Sequence, residues 1–154
     1  MKLSQGEYVA LERIENILSA TPIIAQIFVY GHSLQSYLLA VIIPDPANLA
    51  RIASPILGKE ITSTDTVALD EAVKNERVVK AILDVLTEES KKNALKGYEF
   101  VKRIHVSNEL FSMENGTLTP TFKVKRKDAA AKYQKELDAL YELGEPQSAS
   151  GAKL

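Results

Sequence analysis

An unbroken apolar run, LLAVII, at residues 38–43 leaves this chain few ways to fold. The run is rich in β-branched residues and is followed by Pro44, a pattern that predicts a short β-strand. A strand that is apolar at nearly every position is covered on both faces, because neither face offers polar side chains to water. The run is also far shorter than the roughly 18 to 20 residues that span a bilayer. We therefore expect a buried strand of a small sheet, with other elements packed on each side.

Two further stretches favour β-strands. Residues 23–31, IIAQIFVYG, are rich in β-branched and aromatic residues, and the segment Gly31-His32-Ser33 leads from them toward the apolar run. This arrangement predicts a β-hairpin or two neighbouring strands of one sheet. Residues 100–107, FVKRIHVS, alternate apolar side chains with cations and predict a third strand, although the adjacent Lys102 and Arg103 interrupt the alternation.

Apolar residues at helical spacing predict helices elsewhere. The predicted helices lie at residues 11–20, at residues 47–54, from about residue 75 onward, and at residues 126–143. A polar connection rich in Ser and Thr occupies residues 58–66. The sequence thus predicts an α+β fold, in which a small sheet of about three main strands, with an N-terminal β-hairpin, packs against several helices. We expect one domain over residues 1–143 and a flexible tail over residues 144–154, which are rich in Gly, Pro and Ser.

The composition excludes several classes of site. The 154 residues suffice for one ordinary domain, and 19 Lys and Arg against 20 Asp and Glu give a net charge of −1, so no overall field favours nucleic acid or an anionic membrane. The sequence has no cysteine, which excludes disulfides, thiolate metal sites and cysteine nucleophiles. The two histidines, His32 and His105, lack the spacing of a metal motif, and no metal site is predicted. The first residues also lack the apolar segment of a secretory signal, so we expect no export.

Two segments carry more information than the fold does. The first is KLSQGEYVALERIEN at residues 2–16, and the second is NGTLTPTFKVKR at residues 115–126. In this order and at this separation they resemble the C-terminal domain of long-chain acyl-CoA synthetases (fatty-acid–CoA ligases), which belong to the adenylate-forming, AMP-binding superfamily. The resemblance extends over roughly residues 2–142 and includes GHSLQSYLLAVIIPD and KGYEFVKRIHVSNELFS.

The resemblance implies a two-step, ATP-dependent activation of a fatty carboxylate. In the family, the carboxylate attacks the α-phosphate of Mg-ATP to give an acyl-adenylate and pyrophosphate, and the thiol of coenzyme A then displaces AMP. The C-terminal domain is a mobile lid that rotates between the two steps. The N-terminal adenylation domain and the charged hinge of the family have no counterpart in this sequence. We therefore expect ATP with Mg²⁺ and coenzyme A to bind the full-length enzyme, none of them tightly to this domain alone, and we expect the isolated domain to be inactive.

By its position in the motif TPTFK, Lys123 corresponds to the adenylation-step lysine of the family. Attack of a carboxylate anion on a phosphate needs a cation where negative charge accumulates, and a lysine on a loop supplies a point charge that can enter and withdraw. Pro120 stiffens this loop and lowers the cost of ordering it. Many relatives have glycine at the position of Phe122, whereas the long-chain branch tolerates a larger residue.

The three cations that follow Lys123 are open to other interpretations. We expect Lys125, Arg126 and Lys127 to form the solvated first turn of the last helix. The KVKRK run is also similar to a nuclear-import or nucleic-acid patch, which the near-neutral net charge disfavours, and one of its cations is a candidate for contact with a phosphate of coenzyme A. Three residues of the predicted third strand are equally compatible with contact to the nucleotide end of coenzyme A and with solvation at a sheet edge: Lys102, Arg103 and His105.

A second predicted site is the turn Gly6-Glu7-Tyr8. In the family, the glycine of this turn enters the active site for thioester formation, where a backbone without Cβ lets the pantetheine arm pass. Glu7 and Tyr8 would flank that passage, and an ordinary hairpin glycine is the alternative interpretation. Leu11 stands where relatives usually have proline, a difference expected to affect only the start of the helix.

The final residues Ala152-Lys153-Leu154 match the small-basic-leucine pattern of a peroxisomal targeting signal. The sequence hypothesis is therefore the lid of a peroxisomal long-chain acyl-CoA synthetase, which acts with an N-terminal adenylation domain on fatty acid, ATP and coenzyme A. Its tail would bind a peroxisomal import receptor; if the ending is coincidental, the expected location is cytoplasmic. The alternative is a stand-alone, non-catalytic binding or regulatory module of peroxisomes. Neither hypothesis involves nucleic acid or a transmembrane segment.

Overall fold

The computed structural model describes residues 1–146, which include a three-stranded sheet. Its strands are β1 (Ile24–Tyr30), β2 (Leu38–Pro44) and β3 (Val101–Val106), in the spatial order β1-β2-β3. Strands β1 and β2 form an antiparallel hairpin, whereas β3 runs parallel to β2. The three predicted strands and the predicted hairpin are confirmed.

Strand β2 is the centre of the fold, and all of its residues are buried. Its side chains alternate between two separate apolar clusters, because successive residues of a strand point to opposite faces. Ala40 and Ile42 belong to one cluster, and Val41 and Ile43 belong to the other. The expectation that this apolar run is covered on both faces is confirmed.

Six helices within the described residues supply the two layers. They are α1 (Leu11–Leu18), α2 (Pro46–Leu57), α3 (Thr66–Ala72), α4 (Glu76–Lys92), α5 (Arg126–Lys132) and α6 (Gln134–Glu142). Helices α1 to α4 bury their apolar side chains in the cluster on one face of the sheet, and α5 and α6 pack on the other face. This is the predicted α+β fold. No helix among residues 1–146 is both long enough and apolar enough to cross a membrane.

Side-chain caps fix where α2 and α4 begin. The Asp45 carboxylate accepts the Asn48 backbone N–H at 2.9 Å, and Pro46 takes the first helical position of α2, where the lack of an N–H costs nothing. Asn75 caps α4 in the same way, since its side-chain oxygen accepts the backbone N–H of Arg77 at 2.9 Å. The α4 start predicted near residue 75 is therefore set by a local hydrogen bond.

The helix predictions need two corrections. No helix was predicted between residues 58–66 and residue 75, yet α3 begins after Asp65, whose carboxylate caps it by accepting the Ala68 N–H at 3.1 Å. The single helix predicted over residues 126–143 is two helices, α5 and α6, separated at Tyr133. No Pro or Gly stands in that stretch. The break accompanies the burial of the Tyr133 ring, so packing overrides local helix propensity there.

Candidate functional site

Lys123 lies on a tight hairpin formed by residues 118–124. Leu118 and Val124 form an antiparallel bridge at its base. Above them, the Thr119 N–H donates to the Lys123 carbonyl at 2.8 Å, and the Phe122 N–H donates to the Thr119 carbonyl at 2.9 Å. Pro120 takes the first position of the loop, where its fixed φ favours the turn. The loop before Lys123 is thus held by backbone hydrogen bonds as well as by the proline.

Phe122 adopts the left-handed backbone conformation, with φ at +63°. Glycine reaches this region without steric cost, whereas other residues are disfavoured there by about 1–2 kcal/mol. The turn geometry therefore favours glycine at this position. The Phe122 side chain is 77% exposed, so little burial compensates for the conformation.

The Lys123 side chain is exposed and lines a surface cleft of about 410 Å³ between the hairpin, α1 and β1. The polar residues Glu12, Asn16 and Gln26 line the same cleft. Among residues 1–146, no carboxylate lies within ion-pair distance of the Lys123 ammonium. The structure thus leaves this ammonium available for an anion outside the described part of the chain.

A second cation of the cleft, Arg126, is held in a different way. Its guanidinium binds both carboxylate oxygens of Glu15, at 3.1 and 2.5 Å, and donates to the Val29 carbonyl at 3.2 Å. Glu15 is buried, and its carboxylate also accepts the Val29 N–H at 2.7 Å. The guanidinium lies 6.0 Å from the centre of the Phe28 ring. The positive charge of Arg126 is therefore compensated inside the molecule.

This contact corrects the interpretation of the KVKRK run. Arg126 was expected to be a solvated residue of the first helical turn, but it is half-buried and paired with a residue 111 positions away. Lys125 precedes α5 as its N-terminal cap and makes an exposed ion pair with Asp128 at 3.6 Å, and Lys127 is exposed. The expectation of a solvated turn is confirmed for the two lysines and is wrong for the arginine.

Two residues that the sequence did not single out shape this cleft. The local signal for Glu15 is its helical spacing, four residues after Leu11 and three before Leu18, which puts this carboxylate beside the apolar stripe of the first helix. Gln26 bonds the backbone of Phe111 twice, donating to its carbonyl at 3.2 Å and accepting its N–H at 2.7 Å. The only available signal for Gln26 is an amide side chain within an otherwise apolar strand.

The turn Gly6-Glu7-Tyr8 forms a separate small hairpin. Lys2 pairs with Tyr8, the Leu3 N–H donates to the Glu7 carbonyl at 2.8 Å, and the Gly6 φ is +93°. A Cβ at Gly6 would meet no atom closer than 4.0 Å, so backbone conformation rather than local space requires glycine. Glu7 and Tyr8 are exposed, and none of the three lines the cleft beside Lys123.

Helix α1 begins at Leu11, directly after this hairpin. Leu11 is its first helical residue, a position that also accepts proline, so a leucine or a proline there is compatible with the same helix start. The turn and α1 are therefore continuous in the chain. Glu15 lies one helical turn after the start of α1.

The polar side chains of β3 make contacts within the fold. The Arg103 guanidinium donates to the carbonyls of Gly144 at 2.6 Å and Leu143 at 3.3 Å, at the end of α6. His105 is half-buried against the Tyr133 ring, and burial lowers the pKa of its imidazole, an effect partly offset by the Glu136 carboxylate. The Lys102 ammonium lies 5.5 Å from the Phe100 ring centre.

The residues of the predicted targeting signal, Ala152, Lys153 and Leu154, lie outside the described residues. Within residues 1–146, no group of three or more His, Cys, Asp or Glu side chains is arranged to hold a metal ion. The described site therefore consists of one available ammonium, one compensated guanidinium and a polar cleft that also contains the Glu12 carboxylate. Within it, the Lys123 ammonium is the group that can bind and stabilise an anion.

Comparison with known proteins identifies close relatives over nearly the whole chain. It is 45% identical to rat long-chain-fatty-acid–CoA ligase 5 over 141 residues, 92% of this chain and 20% of that protein. It is 41% identical over 156 residues to the peroxisomal acyl-CoA ligase 891 of Penicillium roqueforti, covering 100% of this chain and 22% of that protein. Human long-chain-fatty-acid–CoA ligase 1 is 41% identical over 91% of this chain and 19% of its own length. The chain spans about a fifth of the length of these relatives, and no protein-family model matches it.

Solved structures show the same fold. The adenylation domain of the carboxylic acid reductase from Segniliparus rugosus, in complex with AMP and a co-purified carboxylic acid, superposes with a TM-score of 0.75 at 34% identity over 93% of this chain and 20% of that chain. The corresponding domain from Mycobacterium chelonae gives a TM-score of 0.72 at 34% identity, over 92% of this chain and 19% of that one. By sequence and by fold, the chain therefore belongs to the long-chain-fatty-acid–CoA ligase family of adenylate-forming enzymes.

Proposed function

We propose that this chain is the C-terminal mobile domain of a long-chain fatty acyl-CoA synthetase and that Lys123 serves the adenylation step. The observation that carries the proposal is the position of Lys123, exposed at the end of a tight hairpin and at the mouth of a polar cleft. The relatives named fatty-acid–CoA ligases and the neighbour with bound AMP support this activity.

In the adenylation step, a fatty carboxylate oxygen attacks the α-phosphorus of ATP and pyrophosphate leaves with the bridging oxygen. Negative charge accumulates on the phosphate oxygens, and the Lys123 ammonium would stabilise it from between the carboxylate and the α-phosphate. Arg126 does not supply this charge, because Glu15 already neutralises its guanidinium. Mg²⁺ would enter with the nucleotide.

In the thioester step, the thiol of coenzyme A attacks the acyl carbon and AMP leaves. We assign the turn at Gly6, Glu7 and Tyr8 to this step. The turn is exposed, and no side chain of Gly6 stands in the way of a pantetheine arm passing along the backbone. Because the turn does not line the Lys123 cleft, rotation of the domain would present the two sites in succession.

The isolated chain is proposed to be inactive. The relatives are about five times longer than the region matched here, and the pocket for ATP and fatty acid would be built by the remainder of such a protein. A single lysine cannot replace the positioning that a closed two-domain cleft provides. The N-terminal adenylation domain is thus the principal partner of this chain.

We further propose that the protein acts in peroxisomes through Ala152, Lys153 and Leu154. The matches to the two Penicillium ligases named peroxisomal cover 100% of this chain, including its C-terminal end. The names of these two relatives support a peroxisomal location, for which the terminal tripeptide would be the signal read by an import receptor.

The adenylation role is tested with Lys123→Ala in the full-length enzyme. Acyl-adenylate formation from fatty acid and ATP, measured as pyrophosphate release, is expected to fall by about 100-fold or more, because one charge-stabilising group is lost from the transition state. Thioester formation from supplied acyl-adenylate should be largely retained, since Lys123 takes no part in it.

The matched control is Lys135→Ala, which removes an exposed lysine of α6 and should leave both half-reactions unchanged. The 154-residue chain alone should release no pyrophosphate. Equal loss of both half-reactions in the Lys123 variant would contradict the proposed role, and so would full adenylation activity.

A further inference from the structure

The Glu15–Arg126 ion pair connects the regions that carry both proposed sites. Glu15 lies on α1, which directly follows the turn at residues 6–8, and Arg126 is the first residue of α5, which directly follows the Lys123 hairpin. Although 111 residues separate the two side chains in sequence, their atoms approach to 2.5 Å. This is the only ion pair among residues 1–146 that joins the segment after one site to the segment after the other.

One end of this connection is rigid. Helix α1 packs its buried residues Ile14 and Leu18 on the sheet, and Glu15 lies between them. The Glu15 carboxylate accepts three hydrogen bonds, two from the guanidinium and one from the Val29 N–H of β1. Such a carboxylate has little freedom to move, so it can serve as a fixed anchor.

The other end of the ion pair, Arg126, adjoins the base of the Lys123 hairpin. Arg126 follows Lys123 by three residues, a span of at most about 10 Å of extended chain. The Lys125 N–H closes the base of the hairpin by donating to the Thr117 carbonyl at 2.8 Å. A shift of Arg126 away from Glu15 would therefore be transmitted to the hairpin base and to the Lys123 ammonium.

A purely structural role for the pair is the competing explanation. The pair also hydrogen-bonds the Val29 N–H and carbonyl, which point away from β2. Since β1 is an edge strand of the sheet, the pair covers part of its outer edge. The two explanations differ in what the Arg126→Lys substitution should disturb: the hairpin, if the pair positions it, or only the sheet edge at Val29, if it does not. Lysine would keep the charge of Arg126 but, as a point charge, could not bind both carboxylate oxygens and the Val29 carbonyl at once.

From this geometry we propose that Glu15 and Arg126 are positioning residues, which fix the direction of the Lys123 hairpin so that it and the turn at residues 6–8 move as one rigid unit. The inference rests on the proposed function of Lys123 for its catalytic consequence, but its structural part stands independently.

The structural part is tested by amide hydrogen exchange in the 154-residue chain. In Arg126→Lys, the hydrogen-bonded amides of Thr119, Phe122 and Lys125 should exchange about tenfold faster than in the wild type. Arg13→Lys is the matched control, because Arg13 also lies on α1 and pairs over a long range with Glu99 at 3.0 Å, away from the hairpin. Unchanged exchange in the hairpin, with faster exchange confined to Val29, would overturn the proposal and leave only edge protection.

The catalytic part is tested by half-reactions of the full-length enzyme. Arg126→Lys and Glu15→Gln should each lower kcat for acyl-adenylate formation by about tenfold, with KM for ATP and thioester formation from supplied acyl-adenylate changed less than about twofold. In a Lys123→Ala background, Arg126→Lys should cause no further loss, because the group it positions is gone. Additive losses, or equal losses in both half-reactions, would overturn the proposal. If Lys123→Ala itself is fully active, the proposed function fails, and the exchange experiment alone decides whether the pair positions the hairpin.

Discussion

Tyr133 is a packed core residue whose burial also changes the pKa of its hydroxyl. Its ring is 5% exposed and lies against His105 and Phe111, at 5.8 and 6.2 Å between ring centres. Among the described residues, its buried hydroxyl finds no hydrogen-bond partner. Burial, followed by the carboxylates of Glu109 and Glu136, raises the pKa of this hydroxyl to about 12.

Tyr133→Phe should therefore stabilise the chain. At pH 7 the gain is expected to be about 1 kcal/mol, because a buried polar group without a partner is removed. In alkaline solution the wild-type tyrosine ionises in the unfolded chain near pH 10 and in the folded chain near pH 12, so stability falls as pH rises through this window. The contribution of one such group is up to about 1.4 kcal/mol per pH unit, and the phenylalanine variant should lack it. Urea unfolding at several pH values measures both effects.

The control for this prediction is Tyr8→Phe, since the Tyr8 side chain is 73% exposed and should give neither effect. Some alkaline decline should persist in Tyr133→Phe, because burial also raises the pKa of Tyr37 and Tyr141. A Tyr133→Phe variant less stable than the wild type would show that the hydroxyl makes a favourable bond.

At the residue scale, the sequence was informative for Lys123 and uninformative for its supporting residues. Lys123 stands in a compact motif, TPTFK, whose loop geometry follows from local residues. The partners of Arg126, by contrast, are Glu15 and Val29, both about 100 residues away in the chain. Helical spacing puts Glu15 beside the apolar stripe of α1, four residues after Leu11 and three before Leu18, but only the tertiary fold supplies the guanidinium that pairs with it.

Helix α4 provides a prediction at the scale of an element. Its end has two reverse hydrogen bonds, from the Leu95 N–H to the Ser90 carbonyl and from the Ala94 N–H to the Lys91 carbonyl, each at 3.1 Å. This pattern requires a left-handed residue after the cap, and Ala94 takes that position with φ at +55°. Because glycine adopts this conformation without steric cost, Ala94→Gly should raise the free energy of unfolding by about 0.5–1 kcal/mol.

A matched substitution separates this effect from the flexibility of glycine in the unfolded chain. Ala139→Gly places glycine at an exposed interior position of α6 and should lower the free energy of unfolding by about 0.5–1 kcal/mol. The two variants add the same flexibility to the unfolded chain, so the opposite signs isolate the backbone conformation. Two equally destabilised variants in urea unfolding would refute the assignment of Ala94.

The elements themselves were predictable where the pattern is strong. Strands β1 and β2 were found because their apolar runs are bounded by Gly and Pro, and β3 because apolar residues alternate with cations. Helix α4 was found because an apolar stripe follows the capping residue Asn75. Helix α3 was missed because only 7 residues form it and the preceding Ser/Thr-rich stretch favours a loop. The break at Tyr133 was missed because the apolar pattern continues across it, whereas the structure shows a non-helical backbone at this buried residue.

At the scale of the whole molecule, the fold presents its two proposed sites without enclosing either. The cleft beside Lys123 is at the surface, the turn at residues 6–8 is exposed, and the described chain offers no enclosed pocket for an acyl chain next to them. Chemistry on a fatty carboxylate needs exclusion of water, which this domain alone does not supply. A role as one wall of a larger active site is consistent with relatives about five times longer than the region matched here.

The last prediction concerns the location of the whole protein in the cell and depends on the tripeptide at residues 152–154. A C-terminal targeting signal is recognised by its receptor at the end of the chain and directs the whole attached protein. Removal of Ala152, Lys153 and Leu154 should therefore make a fluorescently tagged protein cytosolic, while its adenylation activity remains. Deletion of residues 148–150 is the matched control, because it shortens the tail equally but keeps the terminal tripeptide, and this variant should stay in peroxisomes. Fluorescence imaging against a peroxisomal marker, combined with pyrophosphate release from the purified full-length variants, measures both outcomes. Peroxisomal location after loss of the tripeptide would refute the address, and cytosolic location of both variants would show that the length of the tail, rather than its last three residues, determines import.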